Sequence, residues 1–178
     1  MLTVNFNFPT LRKLFSQSVC ALLLIAAFPL TADETTDSTQ EESGWAIEQW
    51  SISTSVYTKH FDPDPDHVND QNLIGVEMYF KNNWLAGVSV FDNSYGQNSQ
   101  LVYMGYSWPI MSSEYWYFKL IGGLLHGYKE PYEDKIPLNG LGVAPAIVPS
   151  LGFKYRRVFA EAHLGGLAVV TFTVGFSF

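Results

Sequence analysis

The last ten residues constrain the fold more than any other stretch. In Val169-Val170-Thr171-Phe172-Thr173-Val174-Gly175-Phe176-Ser177-Phe178, one parity holds Val170, Phe172, Val174, Phe176 and Phe178, and the other holds Val169, Thr171, Thr173, Gly175 and Ser177. Period two is the repeat of a β-strand, whose side chains alternate between faces. A continuous aromatic and branched face opposite a small, polar one suits a strand with lipid outside and a polar interior, and a terminal Phe suits the last strand of an outer-membrane barrel. The edge of a soluble sandwich would rarely offer water such a face.

The same alternation recurs from Trp50 onward and predicts strands over about 50–61, 73–81, 84–91, 100–108, 115–126, 142–155, 158–164 and 168–178. The expected fold is therefore all-β, an eight-stranded antiparallel transmembrane barrel. The connections support it. Residues 81–83, 109–114 and 156–157 are short, whereas 62–72, 92–99 and 127–141 are long, with a tight turn at 165–167 on the long-loop side. Short periplasmic turns and longer outer loops are the asymmetry of this class. Aromatics make up 16% of the chain and gather at strand ends, as Trp50, Trp84, Trp108, Tyr115 and Trp116 do. That is where an apolar ring with a polar edge meets both lipid and water.

The chain opens with Arg12 and Lys13, the apolar run from Val19 to Leu30, and the small residue Ala32 before an acidic stretch. These features read as a secretory signal peptide over residues 1–32, cut after Ala32. At roughly 12 residues the apolar run is short of the ~20 that a spanning helix needs. Residues 33–49 read as an acidic, disordered periplasmic lead-in, and 50–178 as the barrel. Cys20, the single cysteine, lies in the leader, so disulfides and thiol chemistry play no part. Seventeen acids against ten bases in the whole chain argue against nucleic acid as a partner. Asp62, Asp64 and Asp66 alternate with prolines but lack the glycine of a calcium loop, and read as a solvated acidic loop. Neither metal nor cofactor is expected.

Leu85, Gly87 and Phe91 fall opposite Trp84, Ala86, Val88 and Val90. Apolar residues and glycine on both faces imply a lumen able to hold a hydrocarbon chain, where a passive barrel would carry a polar plug. With a periplasmic N-terminus, the first and third strands both run outward, and they bring His60, Asn93 and Ser94 to the outer rim. Hydroxyl, imidazole and amide together can form an activated nucleophile or a general-base relay, and His67 in the first loop is the alternative base. His126 and His163 read as structural polar residues. Pro145 and Pro149 cannot donate to a ladder. They mark either a gap in the wall, usable as a lateral door for lipid, or a strand that starts only after Pro149.

These features resemble the PagP family of outer-membrane lipid A palmitoyltransferases. Ile136-Pro137-Leu138 and the stretch Val143-Ala144-Pro145-Ala146-Ile147-Val148-Pro149-Ser150-Leu151-Gly152-Phe153 resemble the family's Ile-Pro-Leu and the proline-containing strand that follows it. Residues 91–108, FDNSYGQNSQLVYMGYSW, are similar to the segment running from its catalytic Asp-Ser pair to Gly-Tyr-Gly-Trp. The resemblance implies a monomeric enzyme that moves a fatty acyl chain from a phospholipid to lipid A in the outer membrane. It implies Ser94 as the family serine, His60 as the nearest histidine, Pro145 and Pro149 as the lipid access, and Ser107 at the pocket floor. Asn93 stands where the family has aspartate, its N-terminal amphipathic helix has no counterpart in residues 33–49, and Ser107 in place of glycine implies a shallower pocket. The competing expectations are a structural or adhesive barrel without catalysis, and a lipid A deacylase.

Overall fold

The computed structural model describes residues 44–62, 64–69 and 71–178. The expected signal peptide and most of the acidic lead-in lie outside the described residues.

The alternating segments form eight antiparallel strands: β1 (Ile47–His60), β2 (Ile74–Phe80), β3 (Trp84–Asp92), β4 (Asn98–Pro109), β5 (Trp116–His126), β6 (Val143–Tyr155), β7 (Val158–Gly165) and β8 (Val169–Ser177). Each pairs with the next, and β8 pairs with β1, closing the barrel. The closed eight-stranded barrel expected from the period-two pattern is the fold observed. Phe178 completes the seam, since Trp50 N–H donates to its carbonyl and its own N–H donates to Trp50 O, both at 2.9 Å. One boundary differs. The first strand begins at Ile47, within the expected lead-in, because a register shift between Ile47 and Gln49 breaks the alternation there. Trp45 packs edge-on against Phe80, with ring centroids 5.5 Å apart.

The turns at the end that holds the chain terminus are tight. Arg156 takes a φ of 57° between β6 and β7, the left-handed conformation that lets two residues reverse a strand. Outward-facing Ile52, Val88, Val102, Met104, Leu124, Ile147, Phe172 and Val174 are all substantially exposed. A belt this large and apolar is suited to hydrocarbon and not to water. Every tryptophan lies toward the short-turn end: Trp45, Trp50, Trp84, Trp108 and Trp116.

Inside, two regions follow one another along the axis. Toward the short turns, Lys119 is fully buried, with its Nζ 2.8 Å from Glu77 Oε1 and 2.7 Å from Glu161 Oε1. Tyr79 and Tyr103 donate to Glu77, and Tyr117 donates to Glu161. His163 bonds Ser150 and Thr173 beside them. Glu77, Lys119 and Glu161 thus converge into a plug, contrary to the expectation of an unplugged lumen. Toward the long loops, the lumen opens into a cavity of about 500 Å³. Leu101, Tyr103 and Ile121 are buried along its β4–β5 side, with Phe91, Leu125 and Val148 packed against them.

Candidate functional site

The cavity runs from the plug to the outer rim, and at the rim three segments meet. β1 carries His60 on its last residue, the loop after it carries His67 and Asn69, and the loop after β3 carries Ser94. The two loops are tied by Val68 N–H donating to Ser94 O and Asp92 N–H donating to Gln71 O, both at 2.8 Å. Thr171 reaches Gln71 Oε1 at 3.1 Å and anchors that loop to β8.

His60 and Ser94 are both buried. His60 Nε2 lies 2.8 Å from Ser94 Oγ, and His60 Nδ1 lies 3.0 Å from Asn69 Oδ1. An amide oxygen only accepts, so Nδ1 carries the proton and Nε2 offers a lone pair to the Ser94 hydroxyl. This is the arrangement of a nucleophile, its base and an orienting group.

The third member is Asn69, not Asn93. Asn93 is buried, but its Oδ1 accepts from Tyr95 N–H at 2.9 Å and from Gln97 N–H at 3.1 Å. It builds the turn that presents Ser94, and its amide is spent on backbone. His67 stacks on His60 with centroids 4.2 Å apart and reaches the Tyr95 hydroxyl at 3.4 Å. The histidine in contact with Ser94 is therefore His60. His126 bonds Gly142 O, away from this cluster.

Sequence reasoning passed over Asn69 and Tyr128. Tyr128 lies in the loop after β5 and lines the same cavity as Ser94. Burial raises its hydroxyl pKa. Neither residue sits in a repeating pattern, so periodicity carries no signal for them.

Ser107, expected at the pocket floor, lines a separate vestibule of about 360 Å³ with Gln49, Asn83 and Lys154. That vestibule lies on the short-turn side of the plug. The floor of the outer cavity is made by Glu77, Tyr103 and Glu161, because the ion cluster fills the lumen before Ser107 is reached.

Pro145 and Pro149 lie inside β6 and point outward. Lys154 N–H donates to Tyr115 O, and the β5–β6 register runs unshifted, so even-numbered β6 residues bond to β5. The two prolines therefore present their nitrogens to the β7 side and cost no bond to β5. The β6–β7 ladder ends at the pair Ser150–His163, so residues 143–149 have no ladder partner on that side. The cavity lining reaches this break through Pro145, Ile147, Gly166 and Leu167.

By fold this chain is an outer-membrane-type β-barrel. No family model matches it, and no curated protein does. Among solved structures it is similar to the Yersinia pestis outer membrane protein Ail in a phospholipid bilayer nanodisc. The match is at 15% identity and a TM-score of 0.45, and covers 73% of this chain and 99% of that one.

Proposed function

We propose that this barrel is a lipid acyl-ester enzyme of the bacterial outer membrane that moves a fatty acyl chain from a phospholipid to lipid A, as PagP-like proteins do. The observation that carries the reading is the buried contact of His60 Nε2 with Ser94 Oγ, backed by Asn69 at Nδ1 and opening on an apolar-walled cavity. The break between β6 and β7 supports it, since a lipid tail can leave the bilayer sideways only where a barrel wall lacks its ladder.

His60 takes the Ser94 proton as Oγ attacks the ester carbonyl of a phospholipid. The acyl–oxygen bond breaks, the acyl group passes to Ser94, and His60 returns the proton to the departing lysophospholipid oxygen. A lipid A hydroxyl then gives its proton to His60 and attacks the acyl-serine, and the released Oγ takes the proton back. Asn69 keeps the imidazole in the tautomer that both steps use. Phospholipid and lipid A are the partners, and the reaction balances without cofactor or metal.

The test is mass spectrometry of lipid A and phospholipids from cells with and without the protein, repeated with Ser94→Ala. A gain of one acyl chain on lipid A matched by lysophospholipid, lost in the variant, is the expected result. Loss of a chain from lipid A would make the protein a deacylase.

A non-enzymatic barrel is the second reading, and the plug favours it, because Lys119, Glu77 and Glu161 close the lumen as a structural barrel requires. Unchanged lipids in the same experiment would establish it.

A further inference from the structure

We infer that the β6–β7 turn and the outer face of β7 form a binding site for one anionic phospholipid. Arg156 and Arg157 hold its phosphate, and a furrow along β7 takes one of its acyl tails. The inference is independent of the acyl-ester reading, because this site lies on the outer wall at the short-turn end, away from Ser94.

The furrow follows from the register. Ala160 is paired with Phe153 of β6 and with Val174 of β8, and Ala162 with Leu151 and Phe172. Their chain neighbours Phe159 and Glu161 are buried, so alternation turns both alanines toward lipid. Side chains on one face of a sheet stand beside their cross-strand partners. Two methyl groups therefore lie between two rows of larger residues. The result is an apolar space of about 570 Å³ bounded by Phe153, Tyr155, Val158, Ala160 and Val174. Its β6 wall is braced by Tyr115, whose ring centroid lies 6.0 Å from those of Phe153 and Tyr155.

Arg156 and Arg157 line the same space. Past the expected leader they are the only arginines of the chain. The Arg156 guanidinium lies 5.4 Å from the centroid of the Tyr155 ring, and a stacked guanidinium keeps its N–H edge for an acceptor. Among the described residues, no carboxylate is in ion-pair range of either arginine. The turn is tied to β8 by Ser177 N–H, which donates to Arg157 O at 2.7 Å. At Arg156 φ is 57°, a conformation in which Gly and Asn are the usual residues. The position carries a guanidinium against its backbone preference.

Charge selects the lipid. Trp50, Trp84, Trp108 and Trp116 lie toward this end and mark the headgroup level, where a phospholipid presents its phosphate. The guanidinium fork matches phosphate oxygens in pairs. Two adjacent cations outmatch a zwitterionic head group, whose own ammonium already answers its phosphate, and suit one with net negative charge. The tail adds little affinity, since it leaves one apolar medium for another and gains only packing. The furrow thus sets where the lipid lies, and the arginines set how tightly it is held. A lipid bound there braces the weaker side of β6, whose ladder with β7 covers only Ser150 to Tyr155, while its ladder with β5 covers Val143 to Phe153.

The test uses the full barrel in vesicles of phosphatidylethanolamine that contain a small share of phosphatidylglycerol with a photoreactive diazirine on one tail. After illumination, mass spectrometry of peptides locates the adducts, which should concentrate on residues 151–162 and 172–176. Arg156→Asn combined with Arg157→Gln removes both cations while suiting the left-handed turn, and should lower that labelling about tenfold. Ala160→Phe fills the furrow and should lower it about threefold. Lys129→Gln, in an outer loop, should leave it unchanged. Phosphatidylglycerol should raise the urea unfolding midpoint of the wild-type barrel above its value in pure phosphatidylethanolamine, and the double arginine variant should lose that difference. Gel mobility before and after heating confirms that each variant is folded.

Adducts spread evenly around the barrel would overturn the inference and leave only boundary lipid. Labelling within about twofold of wild type in the double arginine variant would do the same, because the loss of two phosphate contacts has to be felt. Equal labelling by a diacylglycerol that carries the same diazirine tail but no phosphate would remove the arginines from the site.

Discussion

The two halves of the lumen are built from the same strands by the same alternation, yet one is filled with charge and the other is hollow. On the short-turn side, Lys119 satisfies two carboxylates whose remaining oxygen sites are taken by tyrosines. On the long-loop side, the inward positions of β3, β4 and β5 become Phe91, Leu101, Ile121 and Leu125, which cannot hydrogen-bond and do not fill the space. The switch occurs within about two inward positions of each strand. Parity decides only which residues enter the barrel. Their chemistry decides whether that level becomes floor or cavity, and the ion cluster is the rigid floor under the space that ends at Ser94.

The comparison breaks most clearly if chemistry and stability do not separate between the halves. Ser94→Ala removes the proposed nucleophile from the hollow half and, on that reading, should lower acyl transfer by about a thousandfold or more. The barrel should remain intact, as judged by gel mobility before and after heating. Residual activity above a tenth of wild type would mean that Ser94 is not the attacking group. Lys119→Met is the matching change in the filled half. It leaves Glu77 and Glu161 facing each other without their cation, which should cost about 3 kcal/mol or more of folding free energy. Urea unfolding from lipid vesicles measures this. The fraction that folds should keep its activity, because the ion cluster does not touch Ser94. Equal losses of stability and of activity per folded molecule would show the halves to be one coupled unit.

Much of this molecule is legible in its sequence, and the limit of legibility is physical. Strands, closure and the inward face follow from alternation, which persists because lipid on one side and lumen on the other punish each misplaced side chain. The bulge near Gln49 escapes, since one extra residue resets the parity. His60 and Ser94 are placed by topology, both being ends of outward-running strands. Asn93 is the instructive miss. It is next to Ser94 in sequence, and for that reason its short side chain is captured by the backbone N–H groups of its own turn. The partner of His60 comes from Asn69, in a loop whose path no local pattern records. The floor of the cavity escapes for a related reason. It depends on where side chains from β2, β4, β5 and β7 meet across the lumen, a distance that no single strand encodes.

The pair Asn69 and Asn93 gives a finer test within the outer half. Asn69→Ala releases the imidazole from its tautomer and should reduce kcat about tenfold with the unfolding midpoint unchanged, because the side chain is exposed and the loop retains its backbone ties. Asn93→Ala removes an acceptor from two half-buried N–H groups and should cost about 1 kcal/mol of stability. Its effect on kcat should follow only from the looser placement of Ser94. Rates and urea midpoints measured on both variants decide it, and the reverse pattern would restore Asn93 to the site in place of Asn69.

The smallest expected effect concerns the hollow itself. Leu101 is buried on the cavity wall in β4, above the level of Tyr103 and Glu77. Leu101→Trp adds bulk to the space between the floor and Ser94 without replacing Ser94, His60 or a residue of the β6–β7 break. An acyl chain that lies in this cavity then has less room below the carbonyl. Rates with a series of phospholipid donors should shift toward shorter chains, with the best short donor within about threefold of the wild-type rate, since overpacking a space that is already empty carries little of the usual strain. If the substitution lowers the rate for all chain lengths alike, the cavity is not where the chain lies. The hollow half would then differ from the filled one only in being loosely packed.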